Sequence, residues 1–132
     1  MAERRRATSD SPFEGPIAFS RAIRVGDRVL VSGTGPVWPD GSCDPDVFGQ
    51  AMRSFKVAGT ALSDLGASLR DVVRTRMFLI DAADWEAVGR AHSAYFEAVR
   101  PAATMVVVAG LLDPRWRVEV ELEAVAAEQI SA

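Results

Sequence analysis

Three glutamates spaced two residues apart offer the clearest chemistry in the sequence. Glu119, Glu121 and Glu123 alternate with apolar residues near the C-terminus, so a β-strand there places all three carboxyl groups on one face. Like charges at this spacing raise the pKa of one carboxyl when the face is partly desolvated. Such a group can position water or exchange a proton. The alternative is a solvated or interface face, which is the commoner use of this pattern.

The other residues that could catalyse or bind are isolated. His92 is the only histidine, and it falls on the apolar side of a predicted helix, where a hydrogen-bonded core or interface residue is the alternative to a site residue. Cys43 is the only cysteine, so no intrachain disulfide can form and a reducing compartment fits. The sequence has no Ser-His-Asp arrangement, glycine-rich phosphate loop or metal-binding cluster. We therefore expect no metal and no cofactor.

Bulk composition predicts a single soluble domain. The 132 residues suffice for one core, and 48% of them are hydrophobic, which argues against disorder. The net charge of −3 leaves no broad positive field for nucleic acid, and no apolar stretch has the length of a membrane span. We expect a flexible basic tail over residues 1–12, one domain over 13–132, a cytoplasmic location, and neither nucleic acid nor membrane as a partner.

Five strands and two helices must position these residues, in the order β-β-α-β-α-β-β. This order predicts an α+β fold with a mixed sheet. Alternating or continuous apolar runs indicate the strands, and Gly26-Asp27 is typical of the hairpin turn between the first two. The predicted strands are Phe19–Val25, Arg28–Ser32, Val72–Ile80, Thr104–Ala109 and Arg117–Ala126.

Apolar residues at helical spacing predict the two helices. The first runs from an Asp44-Pro45 cap to Gly66. The second begins after Asp81 or Asp84 and ends before Pro101. Their apolar stripes are Phe48, Met52, Phe55, Gly59 and Leu62 in the first helix, and Trp85, Val88, His92, Tyr95 and Val99 in the second.

The predicted sheet leaves one face to be covered by another molecule. Two helices can cover only one face of a sheet this wide. The segment 105–108 is nevertheless apolar at every position, as expected of a strand buried on both faces. With no third helix available, other copies of the same sheet are the simplest cover, so we expect an obligate homo-oligomer.

Several short motifs, weak one by one, resemble those of a known family when taken together and in order. They are Phe19–Ala22, Gly26-Asp27, Val31–Gly33, Leu65–Ser68, Asp71–Arg74, Arg100–Ala102 and Val120–Ala124. The sequence from 19 to 126 thereby resembles the Rid/YjgF proteins, the reactive intermediate deaminases, which are also labelled endoribonuclease L-PSP.

The resemblance implies a chorismate-mutase-like fold and a homotrimer. In such a trimer the sheets pack inward as a central barrel, with three clefts between subunits. Active relatives hydrolyse enamines or imines of 2-keto acids in these clefts and release ammonia. An arginine pairs with the substrate carboxylate, a glutamate positions water, and a tyrosine and an asparagine line the pocket.

The residues that match this pocket are mostly substituted. Ser32 and Gly33 match the end of the pocket's strand, and Glu121 matches the water-positioning glutamate. The substituted positions are Phe19 for the tyrosine, Gly89 for the asparagine, Met105 for a common cysteine and Ala103 for the arginine. His92, one helical turn beyond Gly89, is a further candidate to contact the ligand.

The missing arginine leaves two functional hypotheses open. Because Ala103 cannot pair with a carboxylate, we expect poor hydrolysis of 2-imino acids unless Arg21, Arg76 or Arg117 takes the arginine's place. One hypothesis is therefore a hydrolase of imines or enamines other than the usual 2-imino acids. The other is a non-catalytic trimer that binds or scavenges a small metabolite in the same clefts. An endoribonuclease fits poorly, because the chain is acidic and lacks a basic groove.

Overall fold

A single mixed sheet of six strands organises the protein. The computed structural model describes residues 3–127. The strands are β1 (Arg4–Ala7), β2 (Ala22–Val25), β3 (Arg28–Thr34), β4 (Val72–Leu79), β5 (Ala102–Val107) and β6 (Val118–Val125), and the helices are α1 (Glu14–Ile17), α2 (Val47–Asp64) and α3 (Trp85–Phe96). From β2 onward this is the predicted β-β-α-β-α-β-β order, which confirms the α+β class.

The strands lie in the order β1-β2-β3-β6-β4-β5. Strands β4 and β5 are parallel and are joined through α3, whereas the other pairs are antiparallel. Gly26 has a φ of 62° in the turn between β2 and β3, a left-handed conformation that glycine adopts without strain. The last strand, β6, therefore lies in the middle of the sheet and β5 lies at one edge.

Two short elements were not predicted from the sequence. Residues 4–7, expected within a flexible tail, form the edge strand β1 and pair with β2. The backbone N–H of Arg21 also donates to the carbonyl of Ala7, whose side chain is buried. The single turn α1 follows, and Glu14 within it is buried. Tertiary contacts order this segment, and its polar composition gave no sign of them.

Alternation along β6 separates the two faces of the sheet. Its residues 118, 120, 122 and 124 are buried beneath α2 and α3, as the sequence predicted. Phe55 of α2 and Phe96 of α3 are the largest fully buried side chains in this core, and their rings meet edge to face with centroids 5.5 Å apart.

The helices differ from prediction in their caps and in their buried faces. Asp46 caps α2 by accepting from the N–H of Gly49 at 2.9 Å, whereas the expected cap, Asp44, accepts from Trp38 Nε1 at 2.8 Å. Trp85, expected on the buried stripe of α3, is 58% exposed. The buried residues are Val47, Gln50, Ala51, Ser54, Phe55, Ala58, Ala61 and Leu62 in α2, and Val88, Ala91 and Phe96 in α3. Small side chains therefore supply much of the contact surface of α2, which a search for large apolar residues overlooks.

The second face of the sheet is open in the single chain. Leu30, Val73, Val106 and Val125 are each between 41% and 48% exposed, and the strand register assigns them to the face opposite the helices. An apolar set of this kind on one face is typical of a surface that another protein covers. Within residues 3–127, no helix is long and apolar enough to cross a membrane.

Candidate functional site

A β-bulge brings together three of the predicted site residues. Val31 pairs with Leu122 and Thr34 pairs with Val120, so the register between β3 and β6 shifts by one residue. Ser32 and Gly33 therefore both lie opposite Glu121. Bulges of this kind redirect side chains beside functional sites, and this one lies where the resemblance places the pocket.

The buried guanidinium of Arg21 supports the bulge from behind. The side chain of Arg21 is 3% exposed and forms an ion pair with Glu14 at 3.3 Å. One of its terminal nitrogens donates to the carbonyl of Gly33 and to Thr34 Oγ1, and its Nε donates to Ser9 Oγ at 3.2 Å. Burial lowers the pKa of Arg21, and the negative charge of Glu14 opposes that shift. Arg21 is thus fully engaged inside the protein and does not face a ligand.

Phe19 lies beside the Arg21 side chain that supports the bulge. The guanidinium carbon of Arg21 is 5.2 Å from the centre of the Phe19 ring, which is within cation–π distance. The hydroxyl of Ser32 donates to the carbonyl of Ser20 at 2.7 Å, next to Phe19 in the chain. Phe19, Ser32, Gly33 and Glu121 therefore form one group, which we call the bulge group.

Glu121 belongs to a ladder of ion pairs on the open face. Its Oε1 accepts from Arg76 at 2.7 Å. Arg76 is also 3.7 Å from Glu123, which in turn lies 3.4 Å from Arg74. The Glu121 side chain is 31% exposed, so its carboxylate is partly open to solvent while it is held by Arg76 of β4.

Glu119 is the carboxyl that lies against the bulge. A Cβ atom built on Gly33 would be 2.5 Å from Glu119 Oε1. Burial raises the pKa of Glu119, Glu121 raises it further, and Arg21 opposes both effects. Sequence reasoning placed Glu119 on the right face and singled out Glu121. The two glutamates differ in their position relative to the bulge, and that position depends on the register between β3 and β6.

A second group of site residues lies at the β5 edge. The Cβ position of Gly89 is 3.9 Å from the terminal methyl of Met105. His92 Nε2 and Thr75 Oγ1 share a hydrogen bond of 2.8 Å, and burial lowers the pKa of His92, which keeps its ring neutral at neutral pH. Gly89, Met105 and His92 form what we call the edge group. An open hollow of about 340 Å³ adjoins it, lined by Gly89, His92, Ser93, Phe96, Glu97, Arg100 and Pro101.

The position matched to the arginine adjoins the edge group. Ala103 is exposed and pairs with Thr75 across the parallel strands, so it adjoins the hydroxyl that holds His92. Arg76 is paired with Glu121, and Arg117 is paired with Asp84 at 2.8 Å. Together with Arg21, all three candidate replacements already have carboxylate partners. Arg100 lines the hollow and was not a sequence candidate; its Nε donates to the carbonyl of Glu97.

The two groups are separate within one chain. The bulge group is built on β3, β6 and the residues just before β2, and the edge group is built on α3 and β5. Three strand spacings separate β3 from β5 in the sheet and two separate β6 from β5, which is about 14 Å and about 10 Å. A small ligand could contact both groups at once only if something else brought them together.

Comparison with known proteins gives one consistent family. Residues 12–126 match the family described as endoribonuclease L-PSP. An uncharacterised protein of Streptomyces coelicolor is 42% identical over 123 residues, or 91% of this chain and 90% of that protein. The 2-iminobutanoate/2-iminopropanoate deaminase of Salmonella typhimurium is 33% identical over 125 residues, or 91% and 94% of the two chains. The crystal structure of a YjgF/YER057c/UK114 family member from Mycobacterium tuberculosis has a TM-score of 0.86 at 35% identity, covering 94% of this chain and all of that one.

The close approach of Glu119 to Gly33 can be tested by substituting both residues. The three nearest heavy atoms to a Cβ on Gly33 all belong to the Glu119 side chain. We expect Gly33→Ala to destabilise the protein by about 1 kcal/mol, and Glu119→Ala to remove most of that cost in the double variant. Urea unfolding of the wild type, both single variants and the double variant measures the coupling. Additive effects would contradict the contact.

Proposed function

Since the chain belongs to the endoribonuclease L-PSP family, also called the Rid/YjgF family, we propose that it hydrolyses reactive imines or enamines in clefts between the subunits of a homotrimer. The substrates we propose lack the carboxylate of the 2-imino acids. The observation that carries the proposal is the bulge that sets Ser32 and Gly33 opposite Glu121, combined with Ala103 where an arginine would hold a carboxylate.

Imine hydrolysis suits the chemistry of the bulge group. The reaction adds water to the carbon of a C=N bond and delivers protons to the nitrogen, which leaves as ammonia. A half-exposed carboxylate beside the Ser32 hydroxyl and the Gly33 backbone is suited to hold that water. In this proposal Glu121 is the group that positions it.

The charges around the site favour substrates without a carboxylate. Ala103 contributes no charge, His92 is neutral, Arg76 is already paired with Glu121, and Arg100 beside the hollow donates to the carbonyl of Glu97. A charge-assisted contact to a carboxylate contributes about 1.5–3 kcal/mol, so its loss weakens binding of an acidic substrate roughly 10- to 150-fold. Uncharged or cationic imines do not incur that loss.

The proposed assembly would complete the site. The exposed apolar residues of the open face need a cover, and a second copy of the sheet provides one of matching character. In the same arrangement the edge group of one subunit would meet the bulge group of the next. The distance between the two groups within one chain then no longer prevents a ligand from contacting both, because each cleft would take its two sides from different subunits.

A second candidate is a trimer that binds a small metabolite in these clefts without converting it. The ion pair between Glu121 and Arg76 favours this alternative, because it commits Oε1 of the carboxylate and leaves only the other oxygen to hold water. Measured turnover separates the two candidates.

The substrate class can be tested by restoring the arginine. We expect the wild type to hydrolyse an imine formed by an amine oxidase from a primary amine, and to act poorly on 2-iminopropanoate formed by an amino-acid oxidase. Ala103→Arg should raise kcat/KM for 2-iminopropanoate about 10- to 150-fold by supplying a partner for its carboxylate. Ammonia release measures both reactions.

Ala94→Arg is the matched control, because Ala94 is exposed on α3. This variant should leave both rates unchanged. Efficient hydrolysis of 2-iminopropanoate by the wild type would refute the proposed selectivity, and its loss in Arg100→Gln would then give the arginine's role to Arg100. Binding of an imine or its product without turnover would favour the second candidate.

The assembly has its own test. Light scattering should give a mass of three times 14.2 kDa for the wild type. Val106→Glu places a charge on the open face and should dissociate the assembly or prevent its formation. Leu112→Glu, at an exposed position outside the strands, is the control and should remain assembled. A stable wild-type monomer would rule out the assembly.

A further inference from the structure

Among the three glutamates of β6, Glu119 alone is free to exchange a proton. Glu121 holds Arg76 at 2.7 Å, and Glu123 holds Arg74 at 3.4 Å. Within residues 3–127, Glu119 has neither a hydrogen bond nor an ion pair through its side chain, although it is half-buried. A carboxyl committed to a guanidinium is a poor source of protons, whereas an unpaired, half-buried carboxyl is a good one.

The carboxyl of Glu119 lies where the bulge group would meet a substrate. Its Oε1 occupies the space that a side chain at position 33 would fill, so glycine at that position is what admits the carboxyl to the bulge. Glu121 lies two residues further along the same strand and projects from the same face. The two carboxyl groups thus flank the Ser32–Gly33 segment.

Among residues 3–127, the cations near Glu119 are already paired. Arg21 lies behind the bulge and is paired with Glu14. Arg117, on the same face of β6, is paired with Asp84. On the neighbouring strand β4, Phe78 is the residue that pairs with Glu119. Burial outweighs the attraction of Arg21, so the pKa of Glu119 is raised above its ordinary value, and the charge of Glu121 raises it further.

We propose that Glu119 is the general acid of the site and that Glu121 positions the water. This assignment rests on the proposed function. The two carboxyl groups have different tasks because they are held differently. Glu121 is fixed by Arg76 and accepts a hydrogen bond from the water. Glu119 has no such partner in the described part of the chain and carries the proton that the imine nitrogen needs.

The steps balance with water as the only co-reactant. The protonated carboxyl of Glu119 donates to the imine nitrogen as the oxygen of water bonds to the imine carbon and the π-electron pair moves onto nitrogen. The carboxylate so formed accepts a proton from the attacking water, which leaves a neutral carbinolamine. Glu119 then protonates the amine, the C–N bond breaks with its electron pair leaving on ammonia, and the hydroxyl proton returns to Glu119 as the carbonyl forms.

This role predicts the direction of the pH dependence. The protonated form of Glu119 starts the reaction, so kcat/KM should fall as the pH rises through the raised pKa of this carboxyl. A glutamine at position 119 keeps the size and polarity of the side chain and removes the exchangeable proton. The variant should therefore lose this pH dependence together with most of its rate.

The test compares Glu119→Gln with Glu123→Gln in the intact assembly, using the amine-derived imine as substrate. We expect Glu119→Gln to lower kcat/KM by about 10²- to 10⁴-fold and to abolish the fall at higher pH. Glu123→Gln, on the same face of the same strand, should change kcat/KM less than tenfold and keep the pH profile.

The outcomes separate the assignment from the function on which it rests. An active wild type whose rate and pH profile survive in Glu119→Gln would overturn the role of Glu119 and leave the hydrolase in place. A wild type inactive on every imine would overturn the hydrolase and the assignment with it. If Glu119→Gln fails to fold, carbon NMR of the wild type with labelled glutamate decides, since the pKa of Glu119 must lie above the ordinary value of a glutamate; an ordinary pKa would overturn the role.

Discussion

The structure around the candidate site depends on one buried charge, the guanidinium of Arg21. A guanidinium that is removed from water must have its donors satisfied, and here the partners come from two separate segments. Glu14 and Ser9 belong to the N-terminal segment, while Gly33 and Thr34 belong to the bulge of β3. This single side chain therefore orders the N-terminal segment and fixes the bulge toward β6. Replacing it would leave Glu14 buried without its partner.

The charged side chains of the open face are also paired with one another. The arginines near the centre of the sheet, Arg74 and Arg76, each have a glutamate of β6 as partner. Glu119, one step beyond this ladder, is close only to Arg21, which Glu14 already engages. With Ala103 at the edge strand, Arg100 beside the hollow is the one candidate-site arginine in residues 3–127 whose partner is a backbone carbonyl and not a carboxylate. Under the proposed function, these paired charges favour water and proton chemistry on an uncharged or cationic group.

The sequence predicted the order of elements because periodicity is a local property. Strict alternation in 117–126 placed the faces of β6 correctly, and the hairpin turn at Gly26 was evident from its residue types. Three features were not predictable in this way. The strand at 4–7 depends on pairing with β2, the cap at Asp46 depends on which of two aspartates reaches an N–H group, and the bulge depends on register between strands far apart in sequence.

The central claim is that each site is completed by two subunits, which a subunit-mixing experiment tests most directly. Glu121→Gln disables the bulge group, and Gly89→Trp fills the space beside Met105 in the edge group. Each variant alone should form an inactive trimer. Trimers reassembled from a mixture of both should regain activity, because some clefts then join an intact bulge group to an intact edge group from a neighbour. Mixed trimers that stay inactive, while wild-type chains treated identically recover, would contradict the claim.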